Sequence, residues 1–507
     1  MFLGNLGTYA LWDDEAETAL GAKGVLATGD TTALIGHNVN ARRGGINLRD
    51  MADRLTPPLP TYLMALSFKI GKADAYFSRL PFALLGLAAT GLMMGWLART
   101  KTSFQVMLCF AFALLGNVSF FLYFRQGRYY GLALFLGIAL FLLYLKGLEA
   151  PWKRLLYSFL SFMLFFSHPI IFAQVQAIIA LDWVLFERKD RVLPRSREIL
   201  EMILPCILLS IPLLLVWNPF LVKSKEYMDQ VSIGDRMILI WWNFRDLFRA
   251  EFIPLLSLVL APWAYWKTRN RAILRSVCAI AVVVLITSMI TYQRVSVTSV
   301  ADVRYEIIAI VAGFVLSVAV FVTLSKSLGS FGLFLIPLLL WSGIGTGSFF
   351  FTGQLAFPPL QFWQELISPC EEPYTPVAQW VNKNIPAEST VLVFPEYMMY
   401  PLMFHAPQAV YAWQLENGFE PQFANLDDIH FRGRRAPDYL IVFGPDSSDV
   451  RFHLQTLFQG RISYQEVTRI NTFWKDLYRP EIFWRTFSSI RISEPSQGIV
   501  IFRLQTL

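Results

Sequence analysis

Leu11-Trp12-Asp13-Asp14-Glu15-Ala16-Glu17 gathers four carboxylates ahead of the first long apolar run of the chain, residues 76–98. The chain as a whole is 55% hydrophobic and only 16% charged over 507 residues, with a mean hydropathy of +0.45. Soluble globular domains carry nearer ~25% charged residues, so the class is a polytopic membrane protein. Acids beside a first span sit at the water–lipid boundary, where a charge is tolerated and a lipid-borne substrate can react. Partners to those acids are to be sought in the other exported segments.

A spanning helix needs roughly 17–25 apolar residues. About ten such blocks are readable on that criterion, near 76–98, 103–124, 128–147, 152–168, 169–187, 199–218, 252–267, 272–292, 303–324 and 328–350. The loops between them orient the chain. Arg99 and Lys101, then Lys146, Lys153 and Arg154, then Arg188, Lys189, Arg191, Arg195 and Arg197, then Lys267, Arg269, Arg271 and Arg275, and last Lys326, fall in every second loop. Short basic loops face the cytoplasm. The exported side then receives residues 1–75, the 125–130 turn, His168, the 219–251 and 293–302 loops, and everything after 350. The net charge of +7 is therefore a topology signal, and no basic face or motif points to nucleic acid. Cys109, Cys206 and Cys278 lie in apolar blocks and read as small hydrophobes, while Cys370 stands alone in the polar part, so neither a disulfide framework nor a cysteine zinc site is expected.

The exported first loop, 1–75, carries two expected helices. One runs from about Asp14 to Ala27 and ends at Thr28-Gly29-Asp30. The other opens at Pro57-Pro58, where proline suits a helix start, and continues to Gly71; it is too short to span and is expected in the interface plane, or as a re-entrant or additional core helix. Met1 to Leu11 would make a helix of only ~17 Å, and no signal peptide is readable, so either an upstream spanning helix is missing, the favoured expectation, or the next span exports its own tail. Residues 76–350 form the membrane module. Beyond it the composition turns polar, with a helical pattern at Thr375–Ile385 and strand-like runs at Val391–Phe394, Tyr439–Phe443 and Ile499–Leu504, which predicts an exported soluble α/β domain over 351–507. It contains neither a G-x-G-x-x-G nor a G-x-x-x-x-G-K-[ST] nucleotide motif.

Charged groups recur on the exported face. Asp13, Asp14 and Glu15 cannot all share one helix face; they cap and complement a helix N-terminus, or one of them serves as a general base. Arg125 and Arg128, in Phe124-Arg125-Gln126-Gly127-Arg128-Tyr129-Tyr130, sit where the charge bias disfavours arginine. They snorkel from a helix end or grip a phosphate bidentately. Arg304, in Asp302-Val303-Arg304-Tyr305-Glu306, is costly beside a membrane segment and marks a site, unless Asp302 and Glu306 merely neutralise it; Tyr292, Gln293 and Arg294 close the same loop. His168 is either a structural helix-end residue or a ligand, and as a metal ligand it needs Asp13, Asp14 or Glu15 beside it. Together these groups fit a lipid that carries phosphate. Nucleotide sugars are cytoplasmic, so a sugar donor on this side must be lipid-linked.

The runs W-D-D-E-A-E-T-A, T-P-P-L-P-T-Y-L-M-A-L-S-F-K-I-G and S-R-L-P-F-A-L-L-G resemble the first exported loop of GT-C glycosyltransferases, a superfamily that includes the bacterial lipid A aminoarabinose transferases and the dolichyl-phosphate-mannose–protein mannosyltransferases. R-Q-G-R-Y-Y, S-H-P and D-V-R-Y-E fall where that superfamily places short exported loops. The C-terminal E-E-P-Y-T-P-V-A-Q-W-V-N-K-N-I-P-A-E-S-T-V-L-V-F resembles the exported domain of bacterial members. The resemblance implies a GT-C fold and inverting transfer of a sugar from a polyprenyl-phosphate donor to a lipid, glycan or protein acceptor, in contact with membrane lipids. It implies Asp14 as base, with Asp13 and Glu15 beside it, and Arg125, Arg128, Tyr129, Arg304 and Tyr305 around the donor phosphate. One departure concerns metal: the E-K pair that precedes P-P-L in aminoarabinose transferases is Leu55-Thr56 here. A divalent ion on His168 with Asp14 or Glu15 is then the remaining candidate, with Asp53 or Arg54 as substitutes for the missing pair. The rival reading is a flippase or transporter of a lipid-phosphate-linked glycan, which would distribute its charges across membrane depth; the absence of a readable internal repeat weighs against it.

Overall fold

The computed structural model describes residues 1–507 apart from 101, 188–195, 218–230, 292, 294, 296–299, 348, 350–356, 370–371, 418–422, 424, 445–446, 473–497 and 507; at 42–43, 196, 330, 333–334 and 506 it describes the backbone alone. Of the residues that the sequence picks out, Lys101, Arg188, Lys189, Arg191, Arg195, Tyr292, Arg294 and Cys370 lie outside the described residues.

The acidic stretch opens helix α1, Asp13–Thr28. Asp13, Asp14 and Glu15 occupy its first turn, where negative charge complements the exposed N–H groups, and the Trp12 N–H donates to Glu15 Oε2 at 3.4 Å. Gly29 closes the helix in the left-handed region (φ 80°) and donates its N–H to the Val25 carbonyl, the usual glycine stop. A surface helix would show one apolar stripe. In α1 the charged residues Asp13, Asp14, Glu15 and Glu17 are themselves buried, as are Ala16, Ala19 and Leu20, so this helix is packed on several sides. On one side lie two short hairpins, β1/β2 (Leu34–Ile35, Asn38–Val39) and β3/β4 (Leu48–Arg49, Ala52–Asp53). A Cβ on Gly24 would fall 2.5 Å from the Thr32 carbonyl, so glycine permits that approach. On another side is α2, Leu59–Ile70, which also packs on α3. It buries Met64, Ala65 and Phe68 and leaves Leu66 and Ile70 exposed.

A helix stands at each of the expected apolar blocks. Among the described residues five are long and apolar enough to cross a membrane: α3 (Ala75–Arg99), Pro169–Glu187, Arg197–Val216, Arg271–Ile290 and Ala309–Leu328. The second block departs from a straight span, because Phe104–Gly116 (α4) and Val118–Phe124 (α5) meet at 66°. Asn117 occupies the break, capping the Phe120 N–H and donating to the Glu251 carbonyl, both at 2.8 Å. Tyr129–Leu145 (α6) is a shorter apolar helix, and Pro151–Phe165 (α7), Leu255–Thr268 and Ser330–Trp341 are shorter still. At 15, 14 and 12 residues the last three are shorter than the roughly 17 residues of a straight span. The 219–251 loop carries an unexpected helix, Ile233–Arg249, with Ile233, Met237 and Trp241 exposed. At the helix ends remote from α1, Arg154 pairs with Glu201 (2.7 Å) and Arg275 with Asp182 (3.3 Å).

The polar C-terminal part begins with helices Pro358–Ile367 and Tyr374–Asn384 and builds a five-stranded sheet in the order β6-β5-β7-β9-β8. β5 (Thr390–Phe394) lies parallel to β6 (Val410–Tyr411) and to β7 (Tyr439–Phe443); β9 (Ile499–Thr506) runs antiparallel to β7 and to β8 (Ile462–Ile470). The predicted strands are β5, β7 and β9. This sheet is keyed into the first loop. Asn38 donates to the Ala409 carbonyl (2.9 Å) and accepts from the Tyr411 N–H (2.7 Å), and the Val39 N–H donates to Gln414 (2.8 Å). Val39, Ala41 and Leu48 form an apolar cluster with Leu415, Phe423 and Phe431.

Candidate active site

Neighbouring positions on α1 point about 100° apart, and the consecutive acids are used differently. Glu15 is fully buried and takes a fork from Arg79 of α3, Nε to Oε1 at 2.9 Å and Nη2 to Oε2 at 2.6 Å; the Gly127 N–H also donates to Oε1, at 2.7 Å. The rest of the Arg79 guanidinium donates to the carbonyls of Leu6, Tyr9 and Ala10. This ion pair fixes the N-terminal segment, α1 and the turn before α6 together, and Glu15 therefore leaves the set of expected catalytic residues. Arg79 was not singled out from the sequence; its signal is a lone arginine inside an apolar run.

Asp14 turns the other way. Its Oδ2 lies 2.9 Å from Arg304 Nη1 and 3.2 Å from Arg128 Nη2. Four separate stretches meet here. Arg304 rides on the 3-10 turn Val303–Glu306 and is held by Asp302 at 2.7 Å. Arg128 precedes α6, donates to Thr18 Oγ1 at 2.9 Å and lies 3.8 Å from Glu17. Thr18 in turn donates to the Asp14 carbonyl at 3.0 Å. Each arginine lies near the tyrosine that comes after it, Arg128 over Tyr129 at 5.5 Å and Arg304 over Tyr305 at 5.3 Å. Between those tyrosines stands the imidazole of His168, stacked on Tyr129 at 4.3 Å and tilted against Tyr305 at 5.4 Å. Asp13, the residue before Asp14 on α1, is buried. Asp302 takes the neutralising part expected of it, whereas neither carboxylate oxygen of the buried Glu306 has a hydrogen-bond partner among the described residues.

Two other expectations are corrected. Arg125 does not join the cluster: its buried guanidinium donates to the carbonyls of Met1, Phe2 and Gly4 at 2.6–3.0 Å, so it secures the N-terminal segment. The metal candidate does not fit its residues either. His168 Nδ1 accepts the Ile171 N–H at 3.3 Å as the cap of α8, Pro169–Asp182; Asp14 faces two arginines and Glu15 is held by Arg79. No group of three metal-ligating side chains gathers among the described residues. The substitutes are also committed: Arg54 forks onto Asp30 at 2.6 and 2.7 Å, and Asp53 Oδ1 caps the N–H groups of Leu55 and Thr56.

The Asp14 cluster adjoins a small pocket, open to solvent, between α1, the hairpins and α2. Arg128 and Thr18 belong to both.

Membrane-crossing helices, a buried acid–arginine cluster at one end of the bundle and a mixed-sheet domain keyed into the first loop define an integral membrane protein. No family model matches the chain, and no curated protein matches it. Among solved structures it is similar to ArnT from Cupriavidus metallidurans in the apo state, at 12% identity and a TM-score of 0.53, over 99% of this chain and 95% of that one. ArnT from the same organism bound to undecaprenyl phosphate is similar to the same extent, with 12% identity, a TM-score of 0.52 and the same coverage. At that identity the likeness is one of fold, and it is the fold expected from the sequence.

Proposed function

We propose that this chain is a glycosyltransferase that moves a sugar from a polyprenyl-phosphate donor to an acceptor hydroxyl or amine on the exported face of the bacterial plasma membrane, with inversion. The observation that carries the reading is the meeting of Asp14 with Arg128 and Arg304, drawn from sequence-remote segments into one buried cluster. The match of the fold to an ArnT structure that holds undecaprenyl phosphate supports the donor class.

In this mechanism the donor phosphate displaces Asp14 as the partner of the two guanidiniums. Their N–H groups then stabilise the charge that grows on the departing polyprenyl phosphate, with Tyr129 and Tyr305 beside them. Asp14, relieved of its partners, accepts the proton of the attacking acceptor group on the opposite face of the sugar. Asp13 is the second carboxylate of the site. Water is excluded because these groups are already buried.

The test compares cells without the gene, with it, and with Asp14→Asn, by mass spectrometry of their envelope glycolipids and glycoproteins. The variant is expected to insert normally and to lower product by at least ~10², the lower bound for a lost general base. Full product from Asp14→Asn overturns the assignment.

A further inference from the structure

The turn that carries Arg304 is held by side chains from several elements. Asp246, on the helix Ile233–Arg249, accepts the Ala301 N–H at 2.8 Å, and Gln293 Oε1 accepts the Asp302 N–H at 3.1 Å. Both bonds precede Arg304 in the chain. Just after it, the Tyr305 carbonyl accepts Nε2 of Gln174 at 2.8 Å. Gln174 belongs to α8, the helix that His168 caps, and the His168 ring is tilted against the Tyr305 ring at 5.4 Å. One helix therefore grips Tyr305 twice, by its ring and by its carbonyl, and Tyr305 is the residue next to Arg304.

Gln174 is fully buried, in one of the helices long and apolar enough to cross a membrane. A carbonyl can only accept, so the amide nitrogen must face Tyr305. The same nitrogen donates to Thr287 Oγ1, on Arg271–Ile290, at 2.8 Å. Gln174 Oε1, by contrast, has no hydrogen-bond partner among the described residues. Burying an unsatisfied acceptor costs free energy that an apolar side chain of similar bulk would not. Hydrogen bonds between helices in a membrane contribute little on average, so helix adhesion is a poor reason for an amide here. Its nitrogen is spent on the turn beside Arg304.

We infer that Gln174 is a positioning residue: through the Tyr305 carbonyl it fixes the 3-10 turn at the setting in which Arg304 meets Asp14 and can take a lipid phosphate. This role rests on the proposed function, which gives the donor phosphate to Arg128 and Arg304. Gln174 holds no reacting atom and acts through Arg304.

The experiment measures the binding of undecaprenyl phosphate to the full chain in lipid nanodiscs, for the unmodified protein, Gln174→Leu, Arg304→Ala and the double variant. Gln174→Leu keeps the bulk and removes the donor; it is expected to weaken binding about tenfold, the equivalent of one buried hydrogen bond. Added to Arg304→Ala it should cost less than about twofold more, because residues that act as one unit are not additive. A general loosening of the bundle would add its full effect to that of Arg304→Ala. If Gln174→Leu does not fold, Thr287→Val takes its place: it keeps the side-chain shape, frees the amide to turn away, and is expected to weaken binding about threefold, again only while Arg304 is present. Undiminished binding by the folded variant, or a loss that adds in full to that of Arg304→Ala, overturns the inference. The parent reading fails differently: it falls if the unmodified protein binds no undecaprenyl phosphate or if Arg304→Ala binds it undiminished. If Arg304→Ala weakens binding and the Gln174 or Thr287 variant does not, only the role of Gln174 falls.

Discussion

Asp14 and Glu15 are adjacent carboxylates of nearly equal burial, and their partners give them different work. Glu15 meets Arg79 at 0% and 1% side-chain exposure, where removing one partner strands the other in a low-dielectric interior. Arg79→Met is therefore expected to destabilise the protein by about 3–5 kcal/mol, read as a large fall in thermal midpoint in detergent; an unchanged midpoint would show the pair to be dispensable. Arg304 is more exposed, at 16%, and its loss leaves Asp14 facing Arg128. Arg304→Ala should fold normally and raise the KM for the polyprenyl-phosphate donor about tenfold or more, as loss of a charge-assisted phosphate contact of ~1.5–3 kcal/mol implies; unchanged donor kinetics would remove Arg304 from the site. At this scale the sequence showed which residue types collect on one face, but not their partners. Arg125 and Arg128 are equivalent in a hydrophobicity profile. Only the folded chain turns one toward the carbonyls of Met1–Gly4 and the other toward Asp14. Lys23 is a similar case: an ordinary helix lysine in the sequence, it lies 3.9 Å over the Phe404 ring, and burial lowers its pKa to about 8.

The helix that carries Asp14 is held at both ends by the C-terminal domain. His405, at the end of Met399–His405, accepts the Leu11 N–H through Nε2 at 3.1 Å, and Lys23 Nζ donates to the Phe404 carbonyl at 3.2 Å. The Leu11 bond requires a neutral imidazole. Burial first, then the charges of Arg79 and Lys23, lower the His405 pKa from 6.5 to about 4. The unfolded chain thus binds a proton between pH 6.5 and 4 that the folded chain refuses, and by linkage stability falls as the pH drops through that window and is independent of this group above it. A loss of about 2 kcal/mol is expected after allowing for its partial exposure. His405→Gln should flatten that part of the stability–pH curve relative to the unmodified protein; parallel curves would refute the assignment. Elements differed in how legible they were. β5, β7 and β9 are short apolar runs bounded by polar residues, and α1 has its acids and its glycine stop, so periodicity and caps sufficed. β8 escaped because its burial alternates only over Ile462–Tyr464 and a bulge interrupts it between Glu466 and Thr468. The helix Ile233–Arg249 escaped because Arg236, Asp246 and Arg249 break the apolar run that marks a span, although its apolar face is consistent with a helix lying in the interface plane.

At the scale of the molecule, the Asp14 cluster, the small pocket and the C-terminal sheet lie at one end of the bundle, and the ion pairs Arg154–Glu201 and Arg275–Asp182 lie at the other. Charge bias predicts a cytoplasmic place for the second end, because the loops there hold most of the interhelical lysines and arginines. A lipid-linked donor used on the exported face needs the first end outside. The two requirements agree, and they can be tested together without any substrate. With the four native cysteines replaced by serine or alanine, a single cysteine is placed either at Ser448, exposed in the C-terminal domain, or at Thr268, exposed at the end of Leu255–Thr268. A membrane-impermeant maleimide applied to cells with a permeabilised outer envelope and an intact plasma membrane should label Ser448→Cys and spare Thr268→Cys, and lysis should make both reactive. The reverse pattern would put Asp14 on the cytoplasmic face, where nucleotide-linked donors are available, and would remove the reason for a polyprenyl-phosphate donor while leaving the fold as it is.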